Sequence, residues 1–257
     1  MARRKTPLAL LPGLILDDAL WAHQLEQLSD IAEMRVADFT TQDSVPEMAR
    51  SVLEMMPEER FALAGLSMGG YVALEVMRQA PERVERLALL DTRAAPDGPD
   101  EIERRRALVK MSQVGRFKGV TDRLLPLFIH EDRLADRPLV DAIQAMSKRV
   151  GREAFGRQQH ALLTRVDARP LLGRIEVPTL VLCGRQDRLT PLAHHEAMAK
   201  EIPDAELVVI EDCGHLAPME RPEETTAAMR GWLEESCLLY TSPSPRDLST
   251  SRMPSSA

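Results

Sequence analysis

The sequence predicts an α/β protein: a mostly parallel sheet of about six strands with flanking helices and an inserted helical cap. Two observations carry this prediction. Short apolar runs alternate with helix-period segments toward both ends of the chain, as strands buried on both faces by crossover helices do. Between about residues 96 and 170 the alternation stops and only helix-period segments remain. Composition agrees: 257 residues, 44% hydrophobic and 28% charged, suit a packed domain and not a disordered chain.

In chain order, the first strand candidate is Leu8–Pro12, followed by a helix near Asp18–Leu28. Met34–Phe39 precedes a helix at Val45–Met56, and Phe61–Leu66 precedes a helix at Met68–Gln79. Val84–Leu90 is the next strand. After the interruption, Thr179–Cys183 leads to a helix at Leu192–Ile202, and Glu206–Ile210 to one at Pro222–Glu234. The intervening helices are Asp100–Val114, Thr121–Phe128, Leu139–Val150 and Arg152–Arg165. The domain division follows. Residues 1–96 and 167–236 form the core, and residues 97–166 form a cap over the carboxyl edge of the sheet, where open α/β folds bind ligands.

Both termini stand apart. Arg3, Arg4 and Lys5 precede the apolar run PLALLPGLIL, as in a secretory signal. No A-x-A cleavage site follows, and Asp17 and Asp18 come next, so the run reads as a buried strand and the protein as cytoplasmic. Residues 237–257 are rich in Ser, Pro and Thr and have no structural period. With suitable codons the start of this segment back-translates to something resembling a transposase-type sequencing adapter. It is expected to be a disordered, adapter-derived tail, with the true C-terminus lying beyond residue 236.

Charge and cysteine usage narrow the chemistry. A net charge of −7 disfavours nucleic acid and a basic membrane-binding surface. Cys183, Cys213 and Cys237 cannot all pair and lack CxxC spacing, which argues against a disulfide scaffold or a zinc site. The sequence has neither a phosphate-binding loop nor an HExxH cluster, so no cofactor and no metal are expected.

Catalytic chemistry enters at Gly65-Leu66-Ser67-Met68-Gly69-Gly70, a G-x-S-x-G placed between a strand and a helix. A nucleophile on so sharp a turn sits in a strained backbone, and small neighbours relieve the crowding. The turn also puts Ser67 at a helix N-terminus, which favours a developing anion. A serine needs a base. Of six histidines, His215 follows the last strand and reaches the same rim as Ser67. His194 and His195 read as solvated, as do His130 and His160 in the cap, whereas His23 reads as a packed or capping residue. The base needs an acid to fix its tautomer. Asp187, in the loop after Thr179–Cys183, is preferred over Asp91 at the end of Val84–Leu90. The order Ser67, Asp187, His215 is that expected with such an elbow. Two backbone N–H groups complete the set as an oxyanion hole, from Met68 and from Leu14, with Gly13 allowing the loop to approach. Phe128 and Met111 are candidate substrate-binding residues in the cap.

These motifs, LPGL, GLSMGG, GRQDRLTP and GHLAPMERPEE, resemble the α/β-hydrolase superfamily over about residues 6–235. The chain is similar to small bacterial esterases with a helical cap, of the pimeloyl-ACP methyl ester esterase and menaquinone-pathway hydrolase types. The resemblance implies Ser67 as nucleophile, Asp187 as acid, His215 as base, and Leu14 and Met68 as oxyanion donors. Two departures stand out: Pro12 occupies the place where relatives usually carry His, and the sequence begins almost directly at the strand before the oxyanion loop, where relatives often carry an extra hairpin. A serine nucleophile excludes the dehalogenase and epoxide hydrolase branches, which use Asp. Carboxylic ester hydrolysis is the simplest match. C–C bond, thioester and lactone hydrolysis and cofactor-free perhydrolysis remain alternatives, as does a catalytically silent binding protein. The expected partner is a small-molecule ester or related acyl compound, with an acyl-carrier or coenzyme A thioester as a further option. The C–C alternative needs polar cap residues, for which Arg104–Arg106, Arg149, Arg152 and Arg157 are candidates, although they read as solvated.

Overall fold

The computed structural model describes residues 5–114 and 117–234; the segment 237–257 lies outside them. Six parallel strands form one sheet: β1 (Thr6–Leu11), β2 (Ala32–Val36), β3 (Phe61–Leu66), β4 (Val84–Leu90), β5 (Thr179–Gly184) and β6 (Ala205–Ile210). Their order is β2-β1-β3-β4-β5-β6. The chain therefore runs outward from β1 to β2, then returns to continue on the other side at β3. That reversal is a topological switch point, where loops diverge and leave a crevice at the carboxyl edge.

Strand periodicity sorts the two faces. Leu8, Leu10, Ala62, Ala64 and Leu182 pack with Leu20, Trp21, Met229 and Trp232, under α1 (Ala22–Gln27) and α10 (Pro222–Glu234). The alternate residues Ala9, Leu11, Leu63, Leu89 and Val181 pack against α2 (Val45–Met55), α3 (Met68–Gln79) and α8 (Leu192–Glu201). Burial on both faces explains why β3 and β5 are apolar without alternation.

Helices α4 (Pro99–Ser112), α5 (Leu125–Phe128), α6 (Arg137–Leu163) and α7 (Arg169–Leu172) lie between β4 and β5 in the chain. The core cluster of β1 and α10 runs on into this insertion through Val120, Leu125, Ile143, Met146 and Phe155. The two helices expected on either side of Gly151 form α6, broken where Gly151 adopts φ 80°. Only glycine takes that backbone readily.

Three elements differ from expectation. The stretch 121–128 is helical only from Leu125: Pro126 has no N–H to donate back to the Asp122 carbonyl, and it sits in the first turn of the helix, where that donor is not needed. The helix expected at Asp18–Leu28 begins as a 3₁₀ turn over Asp18–Trp21, capped by the Asp17 side chain accepting from the Ala19 N–H. β2 starts and ends earlier than predicted. Its ladder stops once Asp38 turns the chain by accepting the Thr40 N–H at 2.8 Å. Among the described residues, no helix is long and apolar enough to cross a membrane.

Candidate active site

The predicted strand–turn–helix at Ser67 is present. Ser67 joins β3 to α3 at φ 53° and ψ −113°, a left-handed backbone for a residue with a side chain. Close packing holds it there. A Cβ on Gly69 would lie 2.1 Å from the Leu11 carbonyl oxygen, so α3 starts directly against the end of β1. Gly70 packs on Thr92, just past the end of β4. The Ser67 N–H donates to the Leu90 carbonyl at 3.0 Å, and Thr92 Oγ1 donates to the Ser67 carbonyl at 2.7 Å. Met68, as the first helical residue, has an N–H with no partner inside the helix. Gly13 packs against the Ser67 side chain, with its would-be Cβ 3.3 Å from Ser67 Cβ. Leu14 lines the cavity above Ser67.

Loops after β5 and β6 bring the other two residues to this point. His215 Nδ1 lies 2.8 Å from Asp187 Oδ2, and His215 Nε2 lies 2.9 Å from Ser67 Oγ. Asp187 is nearly buried, and its loop holds it: Oδ1 accepts the Leu189 and Thr190 N–H groups at 2.8 and 2.9 Å, and Thr190 Oγ1 donates to Oδ2 at 2.6 Å. Burial pushes the Asp187 carboxyl up, but His215 and Thr190 outweigh it and hold the group below the usual carboxylate range. An ionised Asp187 only accepts, so neutral His215 carries its proton on Nδ1 and leaves Nε2 free to accept from Ser67.

The alternative acid sits elsewhere. Asp91 is fully buried and accepts the Gly184 N–H at 2.9 Å and the Ala217 N–H at 3.1 Å. Burial, reinforced by the charge of Asp187, pushes its carboxyl well above the usual range. Asp91 thus braces the two loops that carry Asp187 and His215.

His195 corrects an expectation. Predicted as solvated, it is fully buried, and its Nε2 accepts the Thr92 N–H at 2.9 Å. Burial lowers its pKa to about 4, so it is neutral near pH 7 and supports the elbow through Thr92. His23 Nδ1 meets Thr226 Oγ1 at 2.8 Å, and His130 Nδ1 accepts the Asp132 N–H. His160 stays exposed. Several arginines of the insertion are not free surface charges either. Arg149 pairs with Asp17, Arg157 donates to the Thr40 carbonyl, and Arg105 pairs with Asp97.

Two bracing residues were missed. Buried Gln158 on α6 accepts the Ile15 N–H at 2.9 Å and donates to the Phe39 carbonyl at 3.0 Å, fixing the loop that follows β1. Glu220, within the short α9 (Ala217–Glu220), accepts the N–H groups of His130, Gly214 and Leu216 and so shapes the His215 loop. GHLAPMERPEE contained Glu220, but nothing in it signalled a buried acceptor.

Ser67 and His215 open into a cavity of about 480 Å³ whose walls are more apolar than polar. Leu108, Met111, Leu124, Phe128 and Phe155 from the insertion line it. The Phe128 ring meets the His215 ring edge-on at 6.4 Å between centroids. Met111 is 69% exposed and reaches only the mouth. A smaller cavity of about 260 Å³ shares Tyr71 and Arg93 with this one but not Ser67. Among the described residues, no group of His, Cys, Asp and Glu side chains is arranged to hold a metal.

Comparison with known proteins agrees with this fold. A thermophilic esterase from Thermogutta terrifontis, solved with malate bound, superposes with a TM-score of 0.81 at 32% identity, covering 89% of each chain. The pimeloyl-[acyl-carrier protein] methyl ester esterase of Nitrosomonas europaea is 27% identical over 84% of this chain and 91% of its own. The 2-hydroxy-6-oxo-6-phenylhexa-2,4-dienoate hydrolase of Comamonas testosteroni is 29% identical over 68% of this chain and 63% of its own. Residues 28–222 match the alpha/beta hydrolase fold family, and the chain belongs to that family.

Proposed function

We propose that this protein is a serine hydrolase that cleaves carboxylic esters through an acyl-enzyme on Ser67. The observation that carries this reading is the hydrogen-bonded line Ser67 Oγ, His215, Asp187, opening into an apolar cavity. His215 Nε2 takes the Ser67 proton as Oγ attacks the carbonyl carbon. Asp187 holds the imidazole orientation and stabilises the imidazolium. The oxyanion is received by the Met68 and Leu14 N–H groups, the former at the positive end of α3. Collapse returns the proton to the leaving alcohol. Water, deprotonated by His215, then releases the acid.

Relatives named as esterases support the ester reading. The relative from Comamonas testosteroni is named as the hydrolase of a dienoate, and C–C, thioester or lactone substrates would use the same serine and histidine. The insertion, residues 97–166, forms the outer wall and sorts acyl chains, with Phe128 and Met111 in contact with them. No step needs a cofactor. The free, buried thiols of Cys183 and Cys213 suit a reducing compartment such as the cytoplasm.

The test is covalent labelling. A fluorophosphonate should add one label per chain, on the peptide that contains Ser67, and block turnover of p-nitrophenyl butyrate. Labelling elsewhere, or undiminished turnover in Ser67→Ala, would overturn the mechanism.

A further inference from the structure

The charged residues around the Ser67 cavity are one-sided. Among the described residues, Arg93, Arg104, Arg105, Lys118 and Arg188 line it, against the single acid Glu101. The chain as a whole carries −7, so the cavity opposes the sign of the molecule around it. Cations focused in a low-dielectric cleft raise the local concentration of anions.

Part of this charge is already matched. Asp97, 3% exposed, takes Arg93 at 2.5 Å, Arg105 at 2.5 Å and Arg165 at 2.9 Å, and Glu101 takes Arg93 at 2.8 Å. Three guanidinium groups thus face two carboxylates. Arg93 nevertheless keeps an unmet donor: the residue is 7% exposed, and its buried Nε has no hydrogen-bond partner among the described residues. That atom is sealed from solvent, so the cavity meets Arg93 as a charge on its wall and not as a free donor. At the mouth, the exposed side chains of Arg104 and Lys118 have no ion-pair partner among the described residues. Arg188 faces Glu131 only at 3.8 Å, both well exposed.

We propose that the cavity selects acyl substrates that carry a carboxylate remote from the scissile carbonyl. Arg104 and Lys118 at the mouth receive it, and Arg93 and Arg188 add positive charge to the wall. A carboxylate fits better than a phosphate dianion, because the inner wall is largely apolar and desolvating the second charge has no matching donor. The inference rests on the serine hydrolase reading for the placement of the ester, but not for the anion site.

Two measurements separate them. Calorimetry on Ser67→Ala, which cannot cleave, compares monomethyl adipate with dimethyl adipate. The monoester should bind roughly tenfold tighter, with the advantage shrinking as NaCl is raised. Arg104→Gln/Lys118→Gln in the same background should cut the monoester-to-diester ratio by about fivefold. Equal binding of the two esters, or a ratio untouched by the mouth variant, overturns the proposal. Turnover by the active enzyme gives the second readout. Cleavage of both esters without preference leaves the hydrolase reading standing and removes this one. Preferential monoester binding with no cleavage of any ester does the reverse.

Discussion

The two walls of the cavity are held in opposite ways. The lower wall, at the carboxyl edge of the sheet, is pinned by buried hydrogen bonds. Asp187 accepts three donors besides His215, Glu220 accepts three backbone N–H groups, and Asp91 and Thr92 tie the neighbouring loops to them. The outer wall contains α4, which has no buried residue at all and leaves Leu108, Met111 and, just beyond its end, Val114 in solvent. The difference separates reaction from selection. Geometry that must be kept within fractions of an ångström is built on strands and buried polar contacts. Within the outer wall α4 is loosely packed and can change without unfolding the sheet, whereas α6 is packed into the core through Ile143, Met146 and Phe155.

The largest effects should come from the lower wall. His215→Ala should lower kcat by on the order of 10⁴–10⁶, as loss of a triad member does elsewhere. Next, Asp187→Asn should cost on the order of 10²–10⁴ in kcat, since the base stays but loses its orientation. Asp91→Asn should cost less than about tenfold, because Asp91 braces loops and does not touch the imidazole. Steady-state kinetics on p-nitrophenyl butyrate compares the pair. If Asp91→Asn is the more damaging variant, the acid has been assigned to the wrong strand.

What could be read in advance divides along the same line. The elbow was legible because its signals are local: a Gly pair around Ser67, an apolar run before it and a helical run after it. The ends of β3, α3, β4 and α10 agree with expectation for that reason. His195 and Gln158 were not legible as braces. Each gains its role from a backbone group far away in the chain, Thr92 for one and Ile15 and Phe39 for the other. Local pattern places a residue on a helix, but it does not say that a distant loop will bury it. The insertion failed at Thr121–Phe128 for a different reason. Pro126 set the helix start, and the apolar spacing around it was that of core packing.

The outer wall is tied to the core by a buried ion cluster as well as by the packing of α6, and breaking the cluster tests whether the walls are independent. Asp97 joins Arg93 at the edge of the core to Arg105 on α4 and to Arg165 just past α6. Burial raises its pKa, but Arg105 and Arg165 outweigh that and bring it from 3.8 to about 2. A folded pKa below the unfolded one stabilises above the unfolded value. That contribution, about 2 kcal/mol, is lost as pH falls from about 4 toward 2. Asp97→Asn should therefore destabilise by about 2–4 kcal/mol at pH 7 in urea unfolding. The gap from the unsubstituted protein should narrow at pH 3. A gap that does not narrow would mean that packing, and not the ion cluster, carries the loss.

Substitutions on the outer wall itself should shift preference more than overall rate, and they show most directly whether it selects. Phe128→Ala removes a ring that meets His215 edge-on, and Met111→Ala removes a side chain that is 69% exposed at the mouth. Burial sets the order. Truncating Phe128 opens space beside the scissile bond, whereas truncating Met111 changes only surface that a long chain would cover. Relative kcat/KM for p-nitrophenyl acetate, butyrate, octanoate and dodecanoate reads this out. Phe128→Ala should shift preference by about tenfold, across short and medium chains. Met111→Ala should shift it by about threefold or less, and only for the longest, in keeping with the few methylenes it touches. A uniform loss across all four esters would show that these side chains hold the insertion together and do not sort its substrates. The division between a fixed reactive edge and a selecting outer wall would then fail at the residues where it is easiest to measure.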